Sequence, residues 1–163
     1  MEKYRIREIK KEDNKAVAAL IRAVFDELNI PKVGTAYEDP YLDLMFEEYS
    51  KPKSVYFVLE KEGKILGCAG IAPLENEAET ICELQKMYFL PETRGLGLGS
   101  QMMATCLQSA KDFGFEKCYL ETMPFMLDAQ KLYKKVGFEY ICSPMGSTGH
   151  TSCPIWMLKD LTA

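Results

Sequence analysis

The chain has no excess of positive charge: 20 lysines and arginines face 24 aspartates and glutamates, a formal net charge of −4. A nucleic-acid surface needs a basic stripe to displace counterions from phosphate, so this balance argues against DNA or RNA and fits a small or cationic partner better. No run approaches the roughly 18 apolar residues of a membrane span, and the start, Met1-Glu2-Lys3-Tyr4-Arg5, lacks an apolar signal core. A cytoplasmic protein away from membranes is expected. Paired Cys-x-x-Cys spacing is missing too. The six cysteines (Cys68, Cys82, Cys106, Cys118, Cys142, Cys153) are scattered, mostly inside apolar runs, as reduced core residues would be. The one histidine, His150, lies eight residues after Cys142 and three before Cys153, which matches no common zinc site, so no metal is expected. Repeats and low-complexity tracts are absent as well. With 163 residues and 47% hydrophobic content, residues 1–163 are expected to form a single domain.

What is present is a glycine-alternating loop, Arg94-Gly95-Leu96-Gly97-Leu98-Gly99-Ser100, between a strand-like run (Ile81 to Leu90) and a helix-like run (Gly99 to Phe113). Glycines at alternate positions let bare amides approach a ligand closely, and the following helix points its unpaired N–H groups the same way. Arg94 adds a positive charge. Helix-terminus electrostatics are worth only about 0.3–1 kcal/mol, so several amides and the arginine must share an anion.

The rest of the chain reads in order. Tyr4 to Glu8 alternates as a strand, and Asp13 is a candidate N-cap for a helix carrying Val17, Leu20, Ile21, Val24, Phe25 and Leu28, ended by Asn29-Ile30-Pro31. A second helix is expected over Tyr41 to Tyr49, with Leu42, Met45, Phe46 and Tyr49 inward. Val55 to Glu60 and Ile65 to Ile71 form a hairpin turned at Gly63. Beyond the glycine loop come a strand (Lys117 to Glu121), a helix (Leu127 to Val136) stopped by Gly137, extended structure from Phe138 to Cys142, a loop from Pro144 to Pro154, and a terminal strand from Ile155 to Leu158. Short turns favour antiparallel pairs, while the strand-helix-strand unit across the glycine loop favours one parallel pair. The expected fold class is α/β, a mixed, mostly antiparallel twisted sheet flanked by helices.

Two phosphate-binding loops can be tested against the glycines. A P-loop requires Gly-Lys-Ser/Thr, and Gly99-Ser100 lacks the lysine. A dinucleotide site wants G-x-G-x-x-G with an acid about 20 residues on; the spacing here is G-x-G-x-G, although Glu121 stands at a suitable distance. Repeated β-α-β units are missing before the loop, which weighs further against NAD.

Arg94-Gly95-Leu96-Gly97-Leu98-Gly99 resembles the Arg/Gln-x-x-Gly-x-Gly/Ala signature of the GCN5-related N-acetyltransferases (GNAT superfamily), and Ala129, Leu132-Tyr133 and Gly137-Phe138 are similar to that family's A..LY...GF segment. Cys82 to Pro91 and Gly149-His150 to Leu158 look like one bacterial branch. The chain departs from the family at Met126, where an asparagine often helps hold the cofactor's pantetheine arm. The resemblance implies the acyl-CoA N-acyltransferase fold, acetyl-CoA as cosubstrate, and transfer of an acetyl group to a small amine or amino-acid-like acceptor by direct attack on the thioester. It implies that the amides of Gly95, Leu96, Gly97, Leu98, Gly99 and Ser100 hold the pyrophosphate with Arg94, and that the acetyl-pantetheine arm lies along Met87, Tyr88 and Phe89, where a splay exposes backbone groups. The acceptor is expected to be a small molecule, a cation among the candidates, and a homodimer is admitted.

Tyr133 is the candidate acid for the leaving thiolate; the bland reading is a buried helix anchor. Glu83, which strand alternation puts on the side of Gln85 and Met87, is the candidate base; the alternative is a solvated or salt-bridged residue, with Glu121 a rival base. His150 either lines the acceptor pocket or is an ordinary loop histidine. Asp39, Asp43, Glu47 and Glu48 among Tyr37, Tyr41, Phe46 and Tyr49 suit a cation or form a solvated helix face. A non-catalytic CoA-binding sensor, and after it an NAD-binding enzyme, are the rival functions.

Overall fold

A computed structural model describes residues 3–150 and 153–162. Thr151 and Ser152 of the expected loop lie outside the described residues. The elements are β1 (Arg5–Glu8), α1 (Asn14–Leu28), α2 (Met45–Glu48), β2 (Val55–Lys61), β3 (Lys64–Pro73), β4 (Ile81–Phe89), α3 (Leu98–Asp112), β5 (Lys117–Thr122), α4 (Leu127–Lys135), β6 (Glu139–Ile141) and β7 (Ile155–Asp160). The strands form one sheet in the order β1-β2-β3-β4-β5-β7-β6. Only β4 and β5 run parallel, joined through α3; every other pair is antiparallel. This is the mixed sheet the connection lengths imply.

Alternation along β2 and β3 sends side chains to two cores. Phe57, Leu59, Leu66, Ala69 and Ile71 meet Met102, Met103, Cys106 and Ala110 of α3 on the back of the sheet. Tyr56, Val58, Ile65 and Cys68 meet Val17, Ile21, Val24 and Phe25 of α1 on the front. Four cysteines (Cys68, Cys82, Cys106, Cys118) are buried and free; Cys142 is exposed and Cys153 half-buried. Both long helices stop where the sequence signals it: Asn29 takes φ +53° after α1, and Gly114 takes φ +90° after α3, with Phe115 N–H returning to the Ala110 carbonyl.

Two local expectations are corrected. Asp13 precedes α1 but does not cap it. Its carboxylate turns back to the Lys10 amide at 2.7 Å and to the Arg7 guanidinium at 2.7 and 3.1 Å, because a half-buried arginine on β1 holds the carboxylate by two charge-assisted bonds where a helix end offers a cap. The helix expected over Tyr41 to Tyr49 shrinks to the single turn Met45–Glu48. It breaks at Leu44 (φ −131°, ψ 41°), since Tyr41 is held inward by a lysine of β4 while Met45 fills the front core. The start of α1 fastens this turn: Asn14 accepts from the Phe46 amide at 2.8 Å and donates to Glu47 at 2.7 Å.

Candidate active site

The site begins with a fault in the sheet. Strands β4 and β5 pair over three positions, Ile81–Lys117, Cys82–Cys118 and Glu83–Tyr119, after which each continues without the other. The cause lies on the opposite edge of β4. Its register with β3 passes from Gly70–Gln85 to Cys68–Tyr88, so Lys86 and Met87 together face Ala69. Lys86 adopts φ +47°, and its carbonyl is taken by the Tyr56 hydroxyl at 2.6 Å. Such a bulge bends the strand. Beyond Glu83, backbone groups of β4 that would face β5 have no ladder partner, and a cleft opens between Glu83–Tyr88 and Leu120–Met123.

The bulge also decides which side chains share a face. Glu83 and Gln85 both face the front, and Gln85 Nε2 donates to Glu83 Oε1 at 2.6 Å. Alternation puts Met87 with them; the structure does not. The extra residue turns Met87 and Phe89 to the back core and Tyr88 to the front, its ring 5.4 Å from that of Phe25.

Glu83 is 5% exposed. Burial pushes its carboxyl up to about 7, the Gln85 hydrogen bond opposing that rise and the Glu121 charge adding to it. Glu121 also lines the cleft, but its two oxygens already accept from the hydroxyls of Tyr119 (2.6 Å) and Thr148 (2.7 Å). A carboxyl raised into that range can exchange a proton near neutral pH.

Tyr133 reaches the cleft from α4. Gly137 (φ +107°) ends this helix, letting Phe138 N–H return to the Tyr133 carbonyl at 3.0 Å and placing the Phe138 ring 6.1 Å from that of Tyr133, edge to face. Burial alone pushes the phenol up to about 12, so it stays protonated and able to donate. Met126, just before α4, lines the same cleft.

The three glycines of the loop serve two purposes. Gly95 and Gly97 have φ +78° and +76°, with open space where a side chain would stand. Gly99 is a packing residue: a Cβ there would lie 3.0 Å from Leu132 of α4. The first-turn amides of α3, from Leu98 to Ser100, have no carbonyl four residues back within the helix, and no side chain caps them. This cradle suits a pyrophosphate. Arg94 does not stand free beside it. Its guanidinium is spread over both Glu27 oxygens at 2.8 Å and the Phe89 carbonyl at 2.8 Å. In this arrangement it braces the loop onto α1.

The acidic-aromatic segment divides. Asp43 pairs with Arg22, Glu47 with Asn14 and Glu48 with Lys51, all toward solvent. Asp39 alone turns inward, where it meets Lys86 Nζ at 2.6 Å and His150 Nε2 at 3.2 Å; Lys86 also donates to the Tyr41 hydroxyl at 2.9 Å. Burial opposes both charges, yet the hydrogen bond to His150 and the charge of Lys86 leave Asp39 below the usual carboxylate range, and Tyr41 and Asp39 leave Lys86 above the usual lysine range. His150 thus lines the cleft and bridges two covering loops. Cys153 lines it too, its thiol pushed up to about 12 by burial, which leaves no nucleophilic thiolate. Lys86 escaped the sequence reading. A strand lysine normally faces water, and nothing in Gln85-Lys86-Met87 announces a positive φ.

Among the described residues no helix is long and apolar enough to cross a membrane. The sequence profile of the acetyltransferase (GNAT) family matches residues 15–138. The chain is 43% identical over 157 residues to the uncharacterized N-acetyltransferase YjgM of Escherichia coli K12, covering 96% of this chain and 94% of that one. Among solved structures, a GNAT-family acetyltransferase of Staphylococcus aureus Mu50 superposes with a TM-score of 0.85 at 19% identity, over 98% and 99% of the two chains. The PaiA N-acetyltransferase of Thermoplasma acidophilum, solved in complex with coenzyme A, gives 0.70 at 16% identity, over 97% and 99%. At such identities the structural likeness speaks for the fold alone, whereas the profile spans most of the sequence and the E. coli relative matches almost end to end; the chain belongs to the acetyltransferase (GNAT) family.

Proposed function

We propose that residues 1–163 act as one domain that transfers an acetyl group from acetyl-CoA to a small amine. The observation that carries this reading is the cleft where β4 and β5 part, with a carboxyl that titrates near 7 at its apex. The first-turn amides of α3 and the open φ-positive glycines fit a pyrophosphate, and the unladdered edge of β4 at Met87, Tyr88 and Phe89 fits the amides of a pantetheine arm. That the Thermoplasma structure of the same fold was solved in complex with coenzyme A supports the same assignment.

In the proposed reaction the amine nitrogen attacks the thioester carbonyl carbon, the N–C bond forms and the C–S bond breaks. Glu83 takes the proton that nitrogen loses, directly or through a water, and Tyr133 gives a proton to the departing thiolate. Alignment in the cleft contributes about 7–11 kcal/mol of the barrier and a general base roughly 3–5 kcal/mol, so positioning dominates. Asp39 is neutralised locally by Lys86, leaving Glu83 and Glu121 as the uncompensated carboxyls facing the cleft. That balance favours an acceptor that arrives as a cation, sheds one proton to solvent before attack and passes the next to Glu83.

The test is CoA release with a panel of amines, beside thermal shift with acetyl-CoA. Glu83→Gln is expected to keep the shift and to slow release by about 10²- to 10⁴-fold. A wild-type protein that shows no shift at millimolar acetyl-CoA sinks the proposal. A shift without CoA release from any amine turns the reading to a CoA-binding sensor, and protection by NAD(H) instead turns it to a dinucleotide enzyme.

A further inference from the structure

The Glu83 carboxyl is held from one side by a chain of two further side chains. Gln85 Nε2 donates to Glu83 Oε1 at 2.6 Å, and the Tyr49 hydroxyl donates to Gln85 Oε1. We propose that Gln85 and Tyr49 are positioning residues for the reaction, locking the Glu83 carboxylate with Oε1 bound and Oε2 left to serve the acceptor. This inference rests on the base role proposed for Glu83.

An amide can turn over, presenting either its NH₂ or its carbonyl to a neighbour. Facing an ionised Glu83, Gln85 must present NH₂; facing a protonated one, it can present its carbonyl and accept the acid's O–H. The orientation of Gln85 and the charge of Glu83 are therefore linked. Tyr49 settles the link. Its buried hydroxyl stays protonated, burial raising it well above the ordinary phenol value, and the hydroxyl hydrogen needs an acceptor. The Gln85 carbonyl supplies one only while the NH₂ points at Glu83. A flipped Gln85 strands the Tyr49 hydrogen in the protein interior, so Tyr49 biases Glu83 toward the carboxylate that can accept a proton.

The other groups facing Glu83 do not replace this chain. From β5 come Glu121, which disfavours the Glu83 charge, and the Tyr119 hydroxyl, which is spent on Glu121. From the loop before β7 come His150 and the thiol of Cys153; from β4 itself comes Lys86, engaged with Asp39 and Tyr41. Tyr49 reaches Gln85 from the residue that ends α2, which Asn14 ties to the start of α1. The acceptor-side segment and the base are thus joined by one hydrogen-bonded path.

The experiment follows the Glu83 carboxyl by ¹³C NMR in the free protein labelled at glutamate, with Glu83→Gln identifying the signal, alongside the pH dependence of CoA release. Gln85→Leu is expected to raise the Glu83 titration by about one pH unit, the effect of losing one hydrogen bond to a charged group, and Tyr49→Phe to raise it by a smaller amount. At pH 7 the Gln85→Leu rate falls about fivefold and recovers at pH 9, a pattern that packing damage does not give. Tyr49→Phe preserves ring and volume, so it remains informative if Gln85→Leu does not fold. Unmoved Glu83 titration in the variants that fold overturns the positioning role. A raised titration with an unmoved rate profile supports the hydrogen-bonded chain and removes Glu83 from the role of base.

Discussion

The two ends of the cleft are built from different materials. At the end proposed to hold the cofactor, the available groups are backbone atoms: loop amides at Gly95 to Ser100 and the unladdered edge of β4. Glycine spacing and a helix start, both local, produce the amides, whereas the bulge at Lys86 opens the edge. At the acceptor end the groups are side chains brought from far apart: Asp39, Tyr41 and Tyr49 from one segment, Glu83, Gln85 and Lys86 from β4, His150 from a loop more than sixty residues later. Backbone recognition suits a ligand common to a whole family. Side-chain recognition can be rebuilt without disturbing the loop, which is where acceptor choice can differ between relatives.

The contrast can be broken at its charged end first. Lys86→Met removes the buried ammonium and leaves the half-buried Asp39 with His150 as its remaining partner. Chemical denaturation is expected to show a loss of about 3–5 kcal/mol, and adding Asp39→Asn should restore much of it. A loss below about 1 kcal/mol means that solvent reaches this pair and that the acceptor end is not a dry charged cluster.

Glu83→Gln sharpens the contrast by pH. The folded carboxyl titrates near 7 against 4.5 ordinarily, so the fold prefers its protonated form. That preference is fully present below about pH 4.5 and is lost as pH rises to 7 and beyond. Relative to wild type, the glutamine variant should therefore gain about 3 kcal/mol in denaturation free energy between pH 4 and pH 8. A difference that does not change with pH means Glu83 titrates normally, which also removes its fitness as a base at neutral pH.

Gly97→Val probes the cofactor end and should have the smallest effect on the fold. At φ +76° a branched residue is strained, costing about 1–2 kcal/mol of stability. The same side chain fills open space beside the loop proposed to hold the pyrophosphate, so acetyl-CoA binding should weaken by more than tenfold. Binding that survives the substitution would show that phosphate is held elsewhere.

Arg94 has a partner that its place in the sequence does not announce. Its place before the glycines points to the anion, but the chain also puts Glu27 on the facing turn of α1, and a bidentate carboxylate claims the guanidinium. Tyr133 illustrates the reverse: a position inferred by resemblance lines the cleft because Gly137 and Phe138, four and five residues on, hold its ring.

By itself the sequence determined whatever depends on neighbours along the chain. The parallel pair across the glycine loop, the hairpin turned at Gly63, the helix stops at Asn29, Gly114 and Gly137, and the amide cradle all follow from dihedral preferences and periodicity within a few residues. Tertiary structure alone decided the bulge at Lys86, the face taken by Met87, the short α2 and the raised carboxyl of Glu83. Each of these is a response to burial. A non-glycine residue at positive φ is tolerated when Tyr56 takes its carbonyl and Asp39 its ammonium, and a carboxyl moves toward neutrality when the elements around it exclude water.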